Sequence, residues 1–361
     1  MNQLLNLKSF KFVPIIAVVL LHGHFTAFAG PNNNTSLGVG ALPGYAGGEF
    51  NTALGFQAIH GDLVGHDNTA TGAGALFANS GGNFNVATGR LALVSNFTGS
   101  FNTAIGNKAL FTNTNGFFNT ATGDMALFSN TIGASNTASG DSALKANTTG
   151  VGNMASGYQA LLNNATGNNN NVAIGSNSGP NVTTASNVTC LGASVGGANV
   201  SNTTWIGNVF GVTTQNGMTA PVVVSTDGQL GTVASSERFK KDIATMDKAS
   251  EGILSLRPVT FHYKSDTKST PQFGLVAEEV AKVNPDLVMR DKNGEIYTVR
   301  YDAVNAMLLN EFLKEHDAFV QEQRKVQLLE KQVEKLTAGL QKVSDQLEQS
   351  KAAPQAVVIN R

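Results

Sequence analysis

The chain is poor in cysteine: Cys190 is the only one in 361 residues. One thiol excludes an intrachain disulfide framework. Nothing around it has metal-ligand spacing, so it reads as a buried structural thiol, and no metal or other cofactor is expected. Charge is scarce over more than half of the sequence. Residues 30 to 234 hold only three cations, Arg90, Lys108 and Lys145, against six acidic residues. The whole chain has a formal net charge of -1, which gives no reason to expect nucleic acid or an acidic membrane surface as partner. Aromatics are 7% of residues and Trp205 is the only tryptophan. Long apolar runs are missing as well. The run Phe12 to Leu21 falls short of the ~20 residues that span a bilayer, so no membrane-spanning segment is expected in the mature chain. Hydrophobic residues still make up 41%, which excludes a disordered polymer.

What is present begins with an export signature. Lys8 and Lys11 precede the apolar run, and Ala27, Phe28 and Ala29 form a small-x-small site before Gly30. Residues 1 to 29 therefore read as a signal peptide, and the mature chain is expected to be secreted or at the cell surface.

From Asn34 the chain repeats. Asn34 to Gly38 (Asn-Thr-Ser-Leu-Gly) recurs from Asn51, Asn68, Asn85, Asn102, Asn119, Asn136 and Asn153, every step being 17 residues. Asn171 follows after 18, and Asn187 and Asn202 open two degenerate copies. A fixed short period is the mark of a solenoid with one repeat per coil. Helical repeats need longer units richer in Leu, Glu and Lys. Units of Asn, Thr, Ala and Gly fit one turn of a parallel β-coil, with Gly at corners of positive φ and Asn side chains bonding from coil to coil. Ala58-Ile59, Ala75-Leu76, Ala92-Leu93, Ala109-Leu110, Ala126-Leu127, Ala143-Leu144 and Ala160-Leu161 supply one large apolar residue per coil. Nine coils ~4.8 Å apart make a rod of about 40 Å. So thin a ladder is expected to leave a flank that association of three copies would cover. Phe84, Phe97, Phe101, Phe117 and Phe118 read as ladder packing rather than sugar platforms, and Trp205 as a plug for the end of the rod.

These repeats resemble the Asn-x-Ala-x-Gly head repeats of YadA-like trimeric autotransporter adhesins, whose heads are β-rolls. The resemblance spans about residues 34 to 210. It implies a homotrimer and a cell-surface glycan or protein receptor.

The solenoid is expected over residues 30–207. A β linker follows over 208–234, with strands at Val222 to Val224 and Leu230 to Val233 around an Asp227-Gly228 turn. Past Ala234 the composition changes: residues 235 to 361 hold 19 charges of each sign. The pattern there predicts a helix from Ala249 to Leu256, a strand from Val259 to Tyr263 and a helix from Ala277 to Val283. Two strands, Leu287 to Met289 and Ile296 to Arg300, flank a turn at Asp291 to Gly294, and a long helix begins near Tyr301. Val326, Leu329, Val333, Leu336, Leu340, Val343 and Leu347 alternate steps of three and four. That is a coiled-coil seam, expected over 320–351.

The boundary between the two halves reads Ser235, Ser236, Glu237, Arg238, Phe239, Lys240, Lys241, Asp242, Ile243. This segment resembles the start of the peptidase S74 domain, the C-terminal intramolecular chaperone of endosialidases and other phage tail proteins. Ser235, Arg238, Phe239, Lys240 and Ile243 fit that family's pattern, while Ser236 stands where the family usually carries Asp. Leu256 to Tyr263, Phe273 to Val280 and Tyr301 to Val304 look like its later blocks, in order, so the resemblance covers about residues 235–330. It implies a small α+β domain that drives trimer assembly and cuts its own chain. Ser235 would be the nucleophile and Lys240 its base, because a serine hydroxyl needs a base and a lysine serves only where burial or cations lower its pKa. The scissile bond would be Ala234–Ser235 or Ser235–Ser236. Arg238 and Lys241 would support the site, and no external substrate would be turned over. His262 reads as structural, and Glu278 and Glu279 point different ways on their helix.

The expected whole is mainly β: a 17-residue-repeat parallel β-solenoid, trimeric, then the small α+β S74-like domain and a coiled coil. Two functions fit it. One is an exported trimeric fibre or adhesin-like protein whose S74-like domain assembles it and autocleaves. The other keeps the architecture as a non-cleaving structural or surface-binding protein. A glycan-degrading tail enzyme is disfavoured, since the repeats leave no room for a glycosidase domain.

Overall fold

The computed structural model describes residues 27–29, 31–43, 47–61, 64–167 and 169–351. The expected signal segment therefore lies, as far as residue 26, outside the described residues. Two compact units divide the chain, meeting between Thr213 and Thr214.

The first unit is a β-solenoid. Its sheet has twelve strands in sequence order. Strand β1 (Ala27–Ala29) pairs antiparallel with β2 (Thr35–Leu37). The remaining strands are parallel, one per coil: β3 (Thr52–Leu54), β4 (Thr69–Thr71), β5 (Val86–Thr88), β6 (Thr103–Ile105), β7 (Thr120–Thr122), β8 (Thr137–Ser139), β9 (Met154–Ser156), β10 (Val172–Ile174), β11 (Val188–Leu191) and β12 (Thr203–Ile206). The register stacks like on like. Ala53, Ala70, Ala87, Ala104, Ala121, Ala138, Ala155 and Ala173 pair in one fully buried column, which Cys190 continues. A strand turns alternate residues to opposite faces, so the middle Ala points inward and its Thr, Val or Ile neighbours point out. Cys190 is thus a small buried residue in an alanine position, and burial pushes its thiol pKa up.

The asparagine that opens each coil is buried and bonds in two directions. Asn102 N–H donates to Asn85 Oδ1 at 3.0 Å, and Asn102 Nδ2 donates to Gly116 O at 2.8 Å. A second ladder, not singled out from the sequence, runs through Asn79, Asn96, Asn113, Asn130 and Asn147, each Nδ2 donating to the preceding Oδ1 at 2.7 to 2.8 Å. Both ladders satisfy backbone carbonyls that the corners leave without strand partners.

The apolar ladder differs from the expectation. Ile59, Leu76, Leu93, Leu110, Leu127, Leu144 and Leu161 are 0–1% exposed within a single chain. No second copy is needed to cover them; the apolar side chains that the coils leave in solvent are others, Phe50, Phe84, Phe101 and Phe118 among them. These residues sit at φ +46 to +52, a left-handed conformation costing an L-residue about 1–2 kcal/mol. Burying such a side chain returns about 1.5–3 kcal/mol, enough to offset that strain. Trp205 follows Cys190 in register on β12, the last strand of this sheet, 40% exposed and with Nε1 donating to Thr203 Oγ1 at 3.1 Å. Phe84, Phe101 and Phe118 do stack, at centroid distances of 4.9 and 5.1 Å, but on the outside of the rod.

The asparagine ladders give a contrast that denaturation measures. Asn113 accepts one bond and donates two, whereas neither side-chain polar atom of buried Asn164 has a partner, nor has Asn147 Oδ1. Asn113→Leu should cost about 2 kcal/mol or more, because an orphaned buried polar group costs ~1–3 kcal/mol. Asn164→Leu should cost nothing or stabilise. Equal losses from the two substitutions would show that the ladder bonds carry no special weight.

The second unit opens with a hairpin of β13 (Val223–Val224) and β14 (Leu230–Gly231) around the Asp227-Gly228 turn. Residues Asp247–Ser255 form a 3-10 helix where a helix was expected from Ala249 to Leu256. Two antiparallel pairs follow, β15 (Val259–Phe261) with β16 (Gln272–Gly274), and β17 (Val288–Arg290) with β18 (Ile296–Val299). The first helix, α1, spans Ala277–Val283, and α2 runs from Tyr301 to Lys351. The core is small: Ile253, Val280, Leu287, Val288, Val299 and Met307.

Candidate functional site

The junction segment builds its geometry from one short turn. Glu237–Phe239 is a 3-10 turn preceded by extended Ser236 and followed by extended Lys240. Phe239 N–H donates to Ser236 O at 3.0 Å and Lys240 N–H to Glu237 O at 2.9 Å. The turn folds residue 240 back towards residue 235, and Lys240 Nζ donates to Ser235 Oγ at 3.2 Å. Both residues are exposed, as is every residue from Ala234 to Ile243. Arg238 does not reach this pair. Its guanidinium lies 4.6 Å from the centroid of the Phe239 ring, a cation–π contact. Lys241 is exposed and makes no side-chain bond among the described residues, and Asp242 takes φ +54.

Chemically, a serine hydroxyl held by a lysine amine is a nucleophile beside its base. The base works only with the amine uncharged, which requires removal from water or nearby positive charge. A single chain leaves the pair in solvent.

The other residues weighed for chemistry are engaged elsewhere or free. Glu279 takes a bidentate bond from Arg257, Nη2 at 2.5 Å and Nε at 3.2 Å, which holds its carboxyl below the usual range. His262 is exposed. No group of three or more metal-ligating side chains occurs among the described residues.

Sequence reasoning missed a polar knot at the start of α2. Ser250, fully buried, donates to Glu311 Oε1 and accepts from Asn310 Nδ2 at 2.7 Å. Lys314 Nζ donates to Glu311 Oε1 at 2.7 Å and lies 3.4 Å from Ser250 Oγ. The Lys314 ammonium, then the Ser250 hydroxyl, hold the Glu311 carboxyl below the usual carboxylate range. Asn310, Glu311 and Lys314 share one helix face by spacing, but nothing in the sequence pairs them with a serine sixty residues earlier. The knot fixes the 3-10 segment Asp247–Ser255 to α2. An apolar groove of about 720 Å³ opens beside it, lined by Ile253, Leu256, Val259, Phe273, Tyr301 and Leu308 among others.

Along α2 the expected seam faces outward. Val326, Leu329, Val333, Leu336, Leu340, Val343 and Leu347 are all 46–72% exposed in one chain. The stripe continues towards the N-terminus beyond the sequence reading: Phe319, Phe312 and Leu308 hold the same heptad positions and are equally exposed. Among the described residues, no helix is long and apolar enough to cross a membrane.

Residues 235–289 match the model of the peptidase S74 family, described as chaperone of endosialidase. The match begins at Ser235 and takes in the blocks Leu256 to Tyr263 and Phe273 to Val280, ending before Tyr301. No curated protein and no solved structure matches the chain.

Proposed function

We propose that this is an exported, rod-shaped fibre protein that assembles as a homotrimer through its C-terminal S74-like unit and is then cut beside Ser235 by its own Ser235–Lys240 pair. The observation that carries the reading is the 3.2 Å contact of Lys240 Nζ with Ser235 Oγ at the first residue of the matched segment. Assembly precedes cutting in this scheme. Neighbouring chains supply the burial that a lone chain lacks, and that burial turns Lys240 into a base. Ser235 Oγ attacks the carbonyl carbon of the bond it flanks, and its proton passes to Lys240 Nζ. The amine of the leaving strand takes the proton back, and water releases the remaining ester. The long exposed seam of α2 supports self-association, since a lone helix with that stripe leaves its apolar face in water. The rod itself adds an uncharged outer β face of Thr, Val, Ile and Ser. A glycan or protein receptor at a cell surface is the partner such a rod would present itself to.

Electrophoresis and mass spectrometry of the purified chain test the proposal. Wild type should yield a fragment starting at Ser235 or Ser236, appearing only as trimers form. Ser235→Ala and Lys240→Ala should stay whole, Ser235→Ala still trimeric, and Ser236→Ala should cut nearly as wild type. A fragment from Ser235→Ala at the wild-type rate would remove Ser235 as nucleophile. An intact wild-type trimer would leave a non-cleaving assembly cap.

A further inference from the structure

The corner columns of the rod carry a notch. Gln57, Leu91, Lys108, Met125, Ser142 and Gln159 recur at multiples of 17 residues, all at φ +50 to +57, and form one corner column whose side chains are half-buried, Ser142 fully so. In the third coil, opened by Asn68, this place is taken by Gly74 at φ +65, as it is by Gly40 at φ +70 in the first. The column has no side chain of its own there, and Leu91 leans over the glycine: a Cβ on Gly74 would come within 2.8 Å of Leu91 Cδ2. The result is a hollow of about 380 Å³ between Phe56, Phe77, Leu91 and Val94, with Arg90 at its lip. The walls are preset. His60 stacks on Phe77 at 5.0 Å, while Phe56 is 55% exposed. Backbone bonds from Gly74 N–H to Phe56 O and from Leu91 N–H to Ala73 O, both 2.9 Å, lock the floor.

Arg90 is the only arginine in the rod. Its guanidinium has no ion pair or side-chain hydrogen bond among the described residues. The acid of its own column, Asp124, is two coils away, about 10 Å, and accepts from Asn107 Nδ2 at 2.8 Å. An unpaired guanidinium in a hollow that the partly exposed Phe56 also lines suits an anionic ligand with an apolar side. A ring with an apolar face, to lie on Phe56, and a carboxylate, to take the planar fork of Arg90, meets both needs.

We propose that the Gly74 notch binds a hexuronate, a pyranose carrying a carboxylate, as part of an oligosaccharide. Phe56 packs against the ring, Arg90 holds the carboxylate, and Gly74 makes the room. Phe84, Phe101 and Phe118 stack on one another instead, with both faces of Phe101 covered. The site belongs to the rod alone and stands whether or not the junction is cut.

Titration calorimetry on the full chain tests it, with a glucuronate trisaccharide and the neutral glucose trisaccharide as probes. The hexuronate should bind in the millimolar range or tighter and the neutral sugar about tenfold or more weakly, the loss expected for one charge-assisted bidentate contact. Arg90→Ala should reduce hexuronate binding by a similar factor without lowering the melting temperature, since the side chain is exposed. Gly74→Asn fills the notch with a residue that tolerates positive φ and should abolish binding. No heat from the hexuronate, equal affinity for the neutral sugar, or unchanged binding by both variants would each overturn the proposal.

Discussion

Gly72→Ala should break the rod, while Gly81→Ala, a few residues on, should leave it intact. Gly72 sits at φ +132, and a Cβ there would stand 2.6 Å from Gly89 O in the next coil. That contact is backbone on backbone, so no rotamer can relieve it. Its φ also lies in a region that is essentially glycine-only, with a cost of order 1–3 kcal/mol before any clash is added. The same corner recurs at Gly55, Gly89 and Gly106 at φ +132 to +136, so a coil pushed aside at one level disturbs the next. The expected loss is about 3 kcal/mol or more. Gly81 is the control. Its φ is not positive, and a Cβ would meet only Val64 Cγ2 at an ordinary 3.6 Å. Gly81→Ala should change stability little or raise it by about 0.4–1 kcal/mol through the unfolded chain. Thermal melting followed by circular dichroism compares the pair, and equal melting temperatures would refute the steric account.

Leu336→Glu should abolish trimerisation while leaving each chain folded. Leu336 is 68% exposed in a single chain, so the substitution removes no contact within it. In an assembled seam, three leucines would be buried together, each contributing about 1.5–3 kcal/mol. Three carboxylates in their place would also be desolvated and repel one another. Sedimentation equilibrium at micromolar concentration should show trimers for wild type and monomers for Leu336→Glu, with unchanged helicity of the unit. Lys335→Gln, one residue away but outside the seam, should stay trimeric. A monomeric wild type would end the trimer proposal. Trimeric Leu336→Glu would move the interface elsewhere. Cutting at the junction should vanish with assembly in Leu336→Glu.

The resemblance at the junction was legible because its information is local. Ser235, Arg238, Phe239 and Lys240 lie within six residues, so one turn brings the serine and the lysine together. The polar knot was illegible for the opposite reason: Ser250 and Glu311 meet only because the 3-10 segment and α2 pack.

The repeat let the sequence decide the solenoid by itself. A strict period makes every residue stack on its own counterpart, so the Ala column, the Asn bonds and the glycine corners follow from the spacing and from which side chains are small. The α2 seam and the strands β13, β14, β15, β17 and β18 were readable likewise, from periods of seven and two, whereas β16, the partner of β15, was not. The period did not say which way each column faces. Only the tertiary structure decided that the leucines close the core of one chain at positive φ, while Phe84, Phe101 and Phe118 stand outside. Direction depends on the backbone conformation at the corners, and a left-handed Leu has no sequence mark to set it apart from an ordinary one. The Gly74 notch arose in the same way. A glycine in a repetitive chain reads as one more corner until the fold shows that Leu91 leans over it and that a hollow opens between Phe56, Phe77 and Val94.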